Sequence, residues 1–127
     1  MTPKEALIEA KQLIERWGWL KGSFARDRYG KSIWIADAKA HIAAGDCGGF
    51  CVSGAIAAAV GLSPDFQSSL RLVAFYGTID ATRARFSQAV GVVNQDIAGW
   101  NDKPERTLQE VLDALDRAIA LSDEVSA

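Results

Sequence analysis

The sequence predicts a mainly α-helical protein, a compact helical domain of four to six helices with a small β-hairpin. Three observations carry that expectation. Thr2-Pro3-Lys4-Glu5 and Thr107-Leu108-Gln109-Glu110 are both capping boxes, each followed by apolar residues at helical spacing. The stretch from Gly45 to Gly61, GDCGGFCVSGAIAAAVG, is apolar on every side and falls short of the roughly 20 residues that cross a bilayer. It reads as a buried central helix, which the amphipathic segments must wrap. Only between Trp19 and Ile35 does the pattern depart from helical periodicity.

The first helix is expected from Pro3 to about Trp17, with Leu7, Ala10, Leu13, Ile14 and Trp17 inward and Gly18 as its stop. Phe24, the turn formers Asp27-Arg28-Tyr29-Gly30, and then Ser32 to Ile35 predict a short hairpin. A lone hairpin is marginal, so it should lean on the helices through Trp19, Phe24 and either Trp34 or the pair Ile33 and Ile35. Ala36 to Ala44 suit a short helix closed by Gly45. The central helix should start after Gly48-Gly49. Ser63-Pro64-Asp65 restarts the chain with Phe66, Leu70 and Val73 inward. Ile79, Phe86 and Val90 continue as a further helix, or as the second half of a kinked one, as far as Gly91. Val92 to Arg106 is expected to be irregular, with at most a helical turn around Gln95 to Ala98. Leu108, Val111, Leu112, Leu115, Ala118 and Ile119 then line the last helix. The core is expected at Phe50, Ile56, Val60, Leu70, Val73, Phe86, Leu112, Leu115 and Ile119.

Composition narrows the classes of function. At 127 residues the chain fits a single domain, 1–127, able to bury about two thirds of its unfolded surface. A hydrophobic share of 49% with 24% charged residues is that of a soluble protein. A net charge of −2 argues against nucleic-acid binding by bulk electrostatics. Charge is unevenly placed: Lys21, Arg26, Arg28, Lys31 and Lys39 make one basic segment, and acidic residues dominate after Glu105. These are either two solvated faces or complementary surfaces for a protein partner or self-association. No signal peptide or membrane span is legible, so a cytoplasmic protein is expected, with Cys47 and Cys51 reduced.

Two constellations invite chemistry. Asp46-Cys47-Gly48-Gly49-Phe50 resembles the nucleophile motif of the NlpC group of papain-like cysteine peptidases, in which the thiol sits at the start of a buried helix. That resemblance implies a hydrolase using Cys47, but the group's base is a downstream histidine, and the lone histidine here, His41, lies upstream. His41, Cys47 and Cys51 also supply zinc-ligating types, though without the two tight ligand pairs usual in structural sites. Core packing is the simpler reading of both cysteines. No catalytic residue, metal ligand or cofactor is assigned.

The run Trp100-Asn101-Asp102-Lys103-Pro104-Glu105-Arg106 is the most unusual polar segment. It is either a rigid turn that buries Trp100 and aims the last helix, or a recognition loop. In the second reading Trp100, Asn101, Asp102 and Arg106, with Trp19, form the binding residues. Gly18-Trp19 with Gly22, Cys51-Val52-Ser53-Gly54-Ala55, and Trp100-Asn101-Asp102 with Arg106-Thr107 resemble a family of short uncharacterised bacterial and phage proteins. Its pattern is G-W-x-x-G, C-x-x-G-A and W-N-D-x-P-x-R-T before a Leu-rich helix. The resemblance implies no activity or cofactor. The expectation is a non-enzymatic binding or regulatory module of phage or mobile-element type.

Overall fold

Thr2 caps the first helix: its hydroxyl accepts from the Glu5 N–H while the Glu5 carboxylate accepts from the Thr2 N–H. The computed structural model describes residues 1–63, 72–93 and 96–126. Helix α1 spans Pro3–Trp17 and buries Ala6, Leu7, Ala10, Leu13 and Ile14, with Trp17 half-buried. Gly18 ends it at a φ of +111° that side chains avoid, and its N–H closes onto Ile14.

Strand β1, Ala25–Asp27, runs into the expected turn. The Asp27 N–H donates to the Lys31 carbonyl, and Arg26 bridges Ser32. The main partner of β1 is a different segment. Strand β2, Cys47–Phe50, lies antiparallel to it, with Ala25 opposite Phe50 and Asp27 opposite Cys47. The central helix is therefore shorter than expected: α3 spans Val52–Gly61, and the residues before it are sheet. Backbone crowding explains the difference. A Cβ at Gly48 would lie 2.0 Å from the Asp27 carbonyl oxygen, and Gly49 sits at φ +123°. The glycine pair lets two backbones touch where a helix would hold them apart.

Between the strands lie a 3₁₀ turn, Ile35–Asp37, and helix α2, Ala38–Ala44, ended by left-handed Gly45. Every residue of α3 from Val52 to Val60 is buried, wrapped by α1, by α4 (Leu72–Val90) and by α5 (Ile97–Asp102). Helix α4 passes through Gly77 without a break. The segment around Trp100, expected to be irregular, is helical because Ile97 and Trp100, one turn apart, both face the core. Helix α6, Leu108–Ser126, packs on α1 and α4.

The fold class is the expected one, six α-helices and a two-stranded antiparallel ribbon among the described residues. Phe50, Ile56, Val60, Phe86 and Leu115 are core as expected. Leu112 and Ile119 are half-buried, because Val111, Ala114 and Ala118 take the innermost line of α6. The helix restart expected after Ser63, at Pro64-Asp65 with Phe66 and Leu70, and the side chain of Val73 lie outside the described residues.

Candidate functional site

Asn101 is fully buried, and its amide makes four hydrogen bonds. Its Oδ1 accepts from Trp19 Nε1 at 2.8 Å and from the Val52 N–H at 3.1 Å. Its Nδ2 donates to the Leu20 carbonyl at 2.8 Å and to Asp102 Oδ1 at 2.9 Å. Two donors on one side and two acceptors on the other leave one orientation for the amide. One side chain thus joins α5 to the segment after α1 and to the first turn of α3, whose amides have no partner within the helix.

Asp102 extends the junction by accepting from the Gly22 N–H at 3.0 Å. Lys21 donates to the carbonyls of Lys103 and Pro104, tying down the chain after α5. On the far side Trp100 is 9% exposed and meets Phe86 edge-on, with ring centroids 5.3 Å apart. The Arg106 guanidinium lies 3.9 Å from the centroid of the Trp100 ring, donates to the Trp100 carbonyl and pairs with Glu110. Its ionic partner is Glu110, in the first turn of α6. Thr107 and Glu110 close the second capping box, and those bonds, with Arg106, hold the Glu110 carboxyl below its ordinary range.

The five residues singled out as binding candidates are therefore gathered at one junction. Trp19 and Asp102 are each bonded to Asn101, and Trp100 and Arg106 stack beside them. The thiols are placed differently from the hydrolase reading. Cys47 lies buried in β2, and the cysteine at a helix N-terminus is Cys51, whose Sγ accepts from the Gly54 N–H at 3.3 Å. Burial pushes both thiols above their ordinary range, against thiolate chemistry. His41 is bonded to Asp46 at 2.7 Å. Among the described residues no three His, Cys, Asp or Glu side chains are grouped to hold a metal ion, so His41, Cys47 and Cys51 do not form the zinc set.

Beside the junction opens a cleft of about 540 Å³ between the ribbon and α5. Phe24, Ile33 and Trp34 make its apolar wall, Ser23 and Ser32 supply hydroxyls, and Asp102 is the one charged residue among its described lining. Phe24 is 54% and Trp34 81% exposed. Of the two alternatives the sequence left open, the pair Ile33 and Ile35 packs against the core, and the alternation of an extended segment puts Trp34 outside; Phe24, expected to lean on the helices, is exposed beside it instead.

Fold and junction together define a small helical domain with a two-stranded ribbon pinned across the start of its central helix. The chain belongs to the Family of unknown function (DUF6197), whose model matches residues 1–121. No curated protein and no solved structure matches the chain.

Proposed function

We propose that the protein is a non-enzymatic binding module that takes up a lysine or arginine side chain of a protein partner in the cleft between the ribbon and α5. The observation that carries this reading is the exposed aromatic pair Phe24 and Trp34 standing over a cleft whose described charge is the Asp102 carboxylate. Aromatic faces attract cations, and a carboxylate beside them supplies a charge-assisted hydrogen bond. Large exposed apolar groups gathered at a concave site favour recognition over mere solvation. The junction residues then support the site: Asn101 bonds the Asp102 carboxylate and is itself bonded by Trp19, while Trp100, packed between Phe86 and Arg106, anchors α5. A regulatory role in a bacterial or phage setting, and a cytoplasmic location, rest on the motif resemblance and the composition.

Selection from a displayed random-peptide library tests this. Enriched peptides should share a lysine or arginine, and Trp34→Ala or Phe24→Ala should weaken them at least about tenfold, near 1.4 kcal/mol. Tyr29→Ala, which removes an exposed ring outside the cleft lining, should leave binding unchanged. Peptides that lack a basic residue, or that bind the Trp34 variant as well as the parent, would sink the proposal.

A further inference from the structure

A second cleft, of about 720 Å³, opens on the other side of Phe24 and Trp34, between the 3₁₀ turn and α2 on one hand and α3 and α4 on the other. Its chemistry is the reverse of the first. Ala57, Ala58, Leu62 and Ile79 make an apolar floor, and Tyr76 joins the aromatic wall. The charged groups among its described lining are both cations, Lys39 and Arg83.

Arg83 is the unusual one. It sits half-buried on α4, and its Nε is buried without a hydrogen-bond partner. No salt bridge to Arg83 or Lys39 occurs among the described residues. A partly desolvated guanidinium without an anion is costly, because a buried N–H left unpaired gives up its hydration with no bond in return, and the more so when charged. An incoming carboxylate matches both the fork of donors and the charge. Apolar surface beside the guanidinium then requires that the rest of the ligand be apolar. The size of the cleft lies within the range of small-molecule sites.

We infer that this cleft binds a small apolar carboxylate, an aryl or alkyl monocarboxylic acid, with its carboxyl group on Arg83 and its body against Ala57, Ala58, Ile79 and the aromatic wall. The inference is independent of the partner-binding reading, since its charge, floor and ligand class differ.

Titration of the full chain with 3-phenylpropionate and octanoate, followed by ¹H–¹⁵N NMR, tests it, with 3-phenylpropionamide and octanamide as uncharged counterparts. The expected result is saturable binding of at least one acid, with shifts concentrated at Arg83 and at Ala57 to Leu62. The amide of that acid should bind at least about tenfold more weakly, through the loss of a charge-assisted hydrogen bond. Arg83→Gln should reproduce that loss in the acid. Equal binding of acid and amide, shifts located elsewhere, or no saturable binding of either acid would overturn the assignment. The acid and amide comparison uses the unaltered protein, so it decides the matter even if Arg83→Gln fails to fold.

Discussion

Asn101 shows how much one residue can carry. Removing its amide leaves the Val52 N–H, the Trp19 indole N–H and the Leu20 carbonyl without the partner that the buried Asn101 provides. Each unsatisfied group costs about 1–3 kcal/mol, partly relieved by relaxation. Asn101→Ala should therefore lower the unfolding free energy by about 3 kcal/mol, read from urea denaturation. A loss below about 1 kcal/mol would mean that the junction is ornamental. The polar character of the Trp100 to Arg106 run was visible in the sequence, and so was the choice between rigid turn and recognition loop. Which atoms Asn101 would meet was not, because its partners lie about 50 to 80 residues away along the chain.

At the scale of elements, glycines decide where sheet gives way to helix. The first turn of α3 is pressed against the ribbon so closely that a Cβ on Gly54 would lie 1.9 Å from the Phe24 carbonyl oxygen, while the Cys51 N–H donates to that same oxygen. Gly77, in the exposed face of α4, has no heavy atom within 4 Å of the place a Cβ would take. The two positions should respond in opposite directions. Gly54→Ala should destabilise by at least about 2 kcal/mol through overpacking. Gly77→Ala should stabilise by about 0.5–1 kcal/mol by relieving the entropy of a helical glycine. Thermal and urea unfolding of the two variants check this, and a stabilised Gly54 variant would contradict the packing described. Periodicity located α1 and α6 well because their capping and stripes are local. It began the central helix at Phe50 and foresaw no strand at Cys47–Phe50, since an apolar run beside glycines suits a buried strand as well as a helix, and only the facing backbone distinguishes them.

Over the whole molecule, charge is arranged within the chain. Lys4 pairs with Asp123 and Lys11 with Asp116, so α1 neutralises part of the acidic face of α6. The hydrogen bond to Asp116 raises the Lys11 pKa. The acidic segment therefore has partners of its own, and its complementarity to the basic segment near the ribbon is not needed to explain it. Reversing both lysines, Lys4→Glu with Lys11→Glu, should lower stability by about 1 kcal/mol, as exposed pairs do, and leave the molar mass from light scattering unchanged. A change in oligomeric state would show that this face meets another copy.

The sequence by itself determined the helical class, the two capping boxes, the apolar axis of the fold and the set of polar residues that end up at the junction. Those features rest on interactions within a few residues: caps, helical spacing and the demand that an apolar helix be covered. Tertiary structure alone decided that β1 pairs with Cys47–Phe50, that Asn101 closes on the start of α3, and that Phe24 and Trp34 divide an acidic cleft from one lined by Arg83. These depend on which distant backbone arrives at a given face, and neither local propensity nor the pattern of apolar residues encodes that arrival.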